Sequence, residues 1–193
     1  MIIKSTRVPA GRARQVAKYL SEQGGNEAVS WLKGTPADIL TMGEISKLAG
    51  KVFAVRHFSI SPNERMNAED LELVLREICC EYQVPTTSVT RMVVVQHKKL
   101  RSSGENNEFH WHLALPEVNA ENLRTLSSSF FKIRNEKISR ICELKLGHSI
   151  VSGRFNKQIR DQLKVERSAL FLRWCHACSE KQGSTKFAAM LHT

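Results

Sequence analysis

The stretch NEFHWHLALPEVN, residues 107–119, decides how the chain is read. Phe109, Trp111, Leu113 and Leu115 recur at every second position, which is the period of a β-strand with one apolar face. His110, His112 and Ala114 then share the other face. The run RMVVVQH (91–97) just before it is a second strand, and the polar KKLRSSGENNE (98–108) joins the two as a long-looped antiparallel hairpin. His97 is the last strand residue before that loop, so it falls beside the histidine pair, with cross-strand Cβ atoms about 5 Å apart. A bare H-x-H is also compatible with two unrelated surface residues. A third imidazole at the base of the same hairpin turns it into a candidate three-ligand site for one divalent ion. Its other coordination positions would remain for water or a phosphate oxygen.

Outward from the hairpin, strands and helices interleave. Strands are expected at 2–8, 26–32 and 52–61, and helices at 11–23, 36–50 and 67–82. Gly24-Gly25 stops the first helix, and Pro36 sits in the first turn of the second. In the third, Leu71, Val74, Leu75, Ile78 and Tyr82 make one apolar stripe, with Asn67 as N-cap and Asp70 three residues on. Helices at 119–146 and 154–181 and an irregular last dozen residues complete the reading. The fold class is α+β, a central antiparallel sheet flanked by helices. Residues 1–160 form the main domain and 161–193 a C-terminal helical extension.

The 193 residues are 41% hydrophobic and 25% charged, as in a soluble globular domain, and no apolar run is long enough to cross a membrane. No signal-peptide pattern opens the chain, so the cytoplasm is the expected location and no membrane insertion is expected. With 29 Lys+Arg against 19 Asp+Glu, the formal charge of +10 favours a polyanionic partner such as nucleic acid. Five cysteines without framework spacing read as reduced thiols. Cys175 and Cys178 share a helix face, but a zinc site needs more ligands than this segment offers.

Only two tyrosines are present. Tyr82 lies on the apolar stripe of its helix and reads as core. Tyr19 lies near the end of the first helix, with Arg12, Arg14 and Lys18 nearby; by itself a helical tyrosine is most often packing.

Three segments in order resemble the relaxases, the tyrosine HUH endonucleases of plasmid and integrative-element mobilisation. IIKSTRVPAGRARQVAKYLSEQ is similar to the motif whose helix carries the nucleophilic tyrosine. HFSISPNERMNAEDL is similar to the serine-containing strand end that touches the DNA backbone. VVVQHKK…FHWHLALPEVN is similar to the metal-binding histidines, and SRICELKLGHSIVSGRFNKQI matches a segment after the core more weakly. Relaxases place the tyrosine before the histidines, as here, whereas replication initiators and small transposases place it after.

The resemblance implies a permuted RRM/ferredoxin-like HUH fold and a metal-dependent nickase and strand transferase. It casts Tyr19 as nucleophile and His97, His110 and His112 as ligands of Mg²⁺ or Mn²⁺, with Zn²⁺ or Ni²⁺ able to substitute. Arg12, Arg14, Lys18, Ser59, Ser61, Lys98 and Lys99 become the DNA contacts. The implied partners are single-stranded DNA at a bacterial transfer origin, accessory DNA-binding proteins and a secretion or coupling protein. The chain departs from the pattern in carrying Lys98 and Lys99 where many relatives have an acidic residue after the first histidine. It also has Pro116-Glu117 where relatives often have asparagine. The group that orients the imidazoles is therefore open, with His57 a candidate. Two other readings are a non-catalytic DNA-binding accessory protein on the same fold and a metal-dependent nuclease that uses water.

Overall fold

A computed structural model describes residues 1–22, 24, 26–99 and 108–190, with side chains described as far as Ser179. Five strands form one antiparallel sheet: β1 (Ile2–Pro9), β2 (Ala28–Lys33), β3 (Phe53–Ser61), β4 (Val93–Lys98) and β5 (Phe109–Pro116), in the spatial order β1-β3-β5-β4-β2. The helices are α1 (Ala13–Ser21), α2 (Pro36–Leu48), α3 (Ala68–Glu81), α4 (Thr86–Thr90), α5 (Phe131–Leu146), α6 (Asn156–Glu166) and α7 (Ser168–Met190). The α+β architecture with a helix-flanked antiparallel sheet is thus observed. No helix among the described residues is long and apolar enough to cross a membrane.

The alternation read in residues 109–115 has its physical counterpart in two different faces. Trp111, Leu113 and Leu115 join Phe58, Ile60 and Val94 in a core sealed by α3 and α5 through Val74, Ile78 and Ile138. On the opposite face Val55, Val93, Val95 and Ala114 pack under α1 and α2, against Ala17, Leu20, Ile39 and Met42. The central strands are therefore covered on both sides, whereas the hairpin alone announces only one core. A third cluster, Ile141, Leu144, Ile159, Leu163, Leu170 and Trp174, ties α5, α6 and α7 together. The expected boundary at residue 160 falls inside α6.

The expected helix at 119–146 begins only at Phe131. In the segment before it, Asn119 Oδ1 accepts the Glu121 amide at 2.8 Å and Asn122 Oδ1 accepts the Arg124 amide at 3.0 Å. Such local side-chain bonds offer the backbone an alternative to the helix. The expected helix at 154–181 is two helices, broken at Arg167, whose φ of −146° and ψ of 65° lie outside the helical region. Its second part continues to Met190, and of the last dozen residues 191–193 lie outside the described ones. The five-residue α4, TTSVT, is too short and β-branched to declare itself in the sequence. Helix α1 ends at Ser21 rather than 23, and Gln23 and Gly25 lie outside the described residues. The Asn67 cap is as expected, since its side chain accepts the Asp70 amide and Asp70 accepts that of Asn67, both at 2.9 Å.

Beneath the α5 side lies a buried ion pair. Glu117, 0% exposed, receives Arg56 Nε and Nη2 and Arg7 Nε, each at 2.8 Å, and Arg56 is itself 1% exposed. Removing the carboxylate charge leaves Arg56 buried without a counterion, a loss of about 3–5 kcal/mol for a pair of this kind. Glu117→Gln is expected to lower the stability measured by urea unfolding by about 3 kcal/mol, with an unchanged denaturant slope.

Candidate metal centre

The register of the sheet places the histidines. On β4 and β5, His97 pairs with His110 and Val95 with His112. On β5 and β3, His112 pairs with Ser59 and Ala114 with His57. Residues directly opposite across a pair share a face, so His57, His97, His110 and His112 all emerge on the α1 side. Candidate ligand nitrogens of His97, His110 and His112 lie within 4.8 Å of one another. The hairpin reading thus brought together three residues that the structure does bring together.

Helix α1 completes the cluster. Ala13, Ala17 and Leu20 form its buried face, and their small side chains let it lie low on the sheet. At Gly43 of α2 an added Cβ would meet the Cβ of Ala13 at 2.8 Å, so this glycine is needed for the close α1–α2 approach. The opposite face of α1 carries Arg14 and Lys18 into the open, and Tyr19 lies at the edge of the buried face, beside the histidines. Tyr19 is 52% exposed, with its ring centroid 5.6 Å from that of His112 and 6.4 Å from those of His57 and His97.

Each imidazole is oriented differently. His57 Nε2 and His112 Nδ1 are 2.9 Å apart and the rings are stacked at 5.0 Å. His112 Nε2 is buried with no hydrogen-bond partner among the described residues. The tautomer that serves both atoms has Nδ1–H of His112 donating to His57 and a lone pair on Nε2. An orphaned, buried, neutral imidazole nitrogen facing two further imidazoles is a fit for a divalent cation. His97 Nε2 lies 3.1 Å from the Leu20 carbonyl and its Nδ1 3.1 Å from Asn26 Nδ2. Ligation by His97 requires one contact to open, and the Asn26 side chain can rotate away whereas the helical carbonyl cannot.

Burial and crowding keep His57 and His112 uncharged. Desolvation, then the neighbouring His97, lowers the His57 pKa to about 4. Desolvation, then His57, His97 and His110, lowers that of His112 to about 2. Neutral imidazoles are the form that binds a metal.

The remaining candidates are dispersed around the cluster. Ser59 and Ser61, half-buried, alternate with the core residues Phe58 and Ile60 and so take the histidine face of β3. Arg12 and Arg14 are exposed, and Lys18 makes a surface pair with Glu22. Lys98 is engaged with Glu27 at 3.0 Å and Glu108 at 3.4 Å, which raises its pKa, whereas Lys99 is exposed. Cys175 and Cys178 are exposed on α7, and among the described residues no third ligand joins them.

His57 and Asn26 carry more of the site than the sequence suggested. His57 had a signal, its parity with Ser59 and Ser61, but the pairing of β3 with β5 is a long-range fact. Asn26 had none. No protein-family model matches the chain, and no curated protein matches it significantly.

The shifted histidines make a pH prediction. Above the ordinary histidine pKa of 6.5 both states are neutral and the contribution to stability is complete. Between 6.5 and about 4 the unfolded chain takes up protons that native His57 and His112 refuse. Stability therefore falls with acidification, by about 1.4 kcal/mol per pH unit for each histidine. Urea midpoints taken across that range should fall steadily, and less steeply in His57→Gln.

Proposed function

We propose that the chain is a metal-dependent relaxase that nicks and rejoins one DNA strand at a transfer origin, initiating conjugative mobilisation. The observation that carries this reading is the position of Tyr19. It comes from α1, at the other end of the domain sequence, and stands with its ring 5.6 Å from His112, half-exposed on the histidine face. A purely structural tyrosine would bury its ring; this one presents it beside a candidate ion site.

A divalent ion held by His97, His110 and His112 would offset the charge that develops on the phosphoryl oxygens. The nitrogen donor set favours first-row transition ions over Mg²⁺, so Mn²⁺ is the better activator. Ser59 and Ser61 can donate hydrogen bonds to non-bridging phosphate oxygens from the same sheet face. Arg12, Arg14 and Lys99 draw the backbone in. The Tyr19 oxygen attacks phosphorus and forms a P–O bond while the bond to the 3′ oxygen breaks and that oxygen takes a proton from solvent, leaving a 5′-phosphotyrosine and a 3′-hydroxyl. The phenolic proton passes to solvent, since His57 with a pKa near 4 is too weak a base to hold it at neutral pH. His57 instead holds His112 in the ligating tautomer. The bond energy is kept in the phosphotyrosine, so the 3′-hydroxyl can reverse the step and reseal the strand. Accessory DNA-binding proteins and a secretion or coupling protein are the partners of such a reaction.

With labelled single-stranded origin DNA and Mn²⁺, denaturing electrophoresis should resolve a protein–DNA adduct that Tyr19→Phe removes. His112→Ala should slow adduct formation by on the order of 10²-fold or more. Cleavage that persists in Tyr19→Phe without an adduct would mean that water is the nucleophile. Binding without cleavage by the wild type on its verified origin would mean a non-catalytic DNA-binding protein.

A further inference from the structure

A second aromatic feature lies away from the ion site, at the start of α5. Phe130 is 81% exposed and holds a left-handed backbone, φ 53° and ψ 28°, which a bulky residue adopts only under strain. Phe131 beside it is also exposed. Two grooves meet here. One of about 900 Å³ is lined by Phe130, Phe131, Lys132, Phe155, Gln158 and Gln162. The other, of about 490 Å³, shares Phe131, Lys132 and Phe155 and runs along β1 past Lys4 and Thr6. Sharing those residues, the two grooves form one trough region lined by three aromatic rings.

Basic side chains outnumber acidic ones along it. Glu81 in the first groove is neutralised by Arg134 at 3.2 Å and Lys137 at 3.5 Å. Glu136 in the second accepts the Phe155 amide at 2.8 Å. Lys4 and Lys132 are exposed and have no ion-pair partner among the described residues, and Arg154 stands 5.7 Å over the Phe155 ring. Lys4 also links the trough to the ion site. It pairs with Ser59, which pairs with His112, so Lys4 stands two strands from His112, about 10 Å away.

We infer that this trough is a stacking platform for single-stranded DNA, taking the bases of the strand that leaves the nicking site. Phe130 and Phe131 face the bases, and Lys132, Arg154 and Lys4 follow the phosphates. Exposed rings among unpaired cations fit a ligand with π-faces and regularly spaced negative charge. The assignment rests on the DNA-strand reading above for its ligand, not for its geometry.

The test uses the full chain and fluorescence anisotropy, with labelled oligothymidylate and an abasic oligonucleotide of equal length and charge. The wild type should bind oligothymidylate more tightly. Phe130→Ala and Phe130→Leu should bind it about tenfold more weakly while binding the abasic strand as before. Because Phe130 packs little, both variants should keep the wild-type melting temperature. Lys132→Ala should weaken both probes and flatten the dependence of log K on log salt by about 0.7. Oligothymidylate affinity that is indifferent to Phe130 overturns the platform, and is also the result expected if the trough serves an acidic protein. An adduct at the origin with Phe130-independent binding removes the platform alone. Phe130-dependent binding without any wild-type adduct removes the strand-transfer reaction and leaves the platform standing.

Discussion

The register of β5 between β4 and β3 is the constraint on which everything else depends. A slip of one residue would turn His110 and His112 into the Trp111 and Leu113 core and put those apolar side chains beneath α1. The bulk of Trp111, Leu113 and Leu115 on one face, against Ala114 on the other, makes the two faces non-interchangeable. That asymmetry fixes three histidines of two strands on a common side without a loop contributing to their placement. A site built on paired strands is held more rigidly than one built on loops, which suits a cluster whose ligands must converge on a single ion.

The same face that carries the histidines also has to receive a helix. Ala114, Ala13, Ala17 and Gly43 are the small residues that let α1 settle between the sheet and α2. Larger residues there would lift α1 and carry Tyr19 away from His112. Packing of alanine and glycine thus sets the distance between Tyr19 and the histidines. On the far side, the buried Arg56–Glu117–Arg7 group ties β1 and β3 to the end of β5. It accounts for an acidic residue directly after Pro116.

What was legible in the sequence was what depends on short-range periodicity. The 109–115 alternation, the stripe from Leu71 to Tyr82 and the Asn67 cap each carry their signal within a few residues, and each element is present. The beginning of α5 was not legible, because asparagines 119 and 122 bond the local backbone in a way no apolar period records. Nor was the break at Arg167, which lets α6 and α7 fold back so that Leu163 and Leu170 meet a common core. The partnership of His57 with His112 joins residues 55 positions apart. It required knowing that β3, rather than another strand, lies beside β5.

His57 supports the cluster without adding charge to it. Where a carboxylate could stand beside the candidate ligand histidines, this chain sets a neutral imidazole against His112 and two lysines after His97. A carboxylate would share negative charge with the ligands, tighten the hold on a cation and lessen its pull on a phosphate. An imidazole pair orients His112 equally well through one hydrogen bond but adds no charge, so a divalent ion held there would keep nearly its full +2 toward any anion beside it. The same choice leaves ion binding dependent on nitrogen donors alone, which selects for transition ions. It also requires that all the imidazoles stay unprotonated together. Burial enforces that condition at His57 and His112, and so the arrangement that stiffens the site also keeps it in the protonation state that a metal needs.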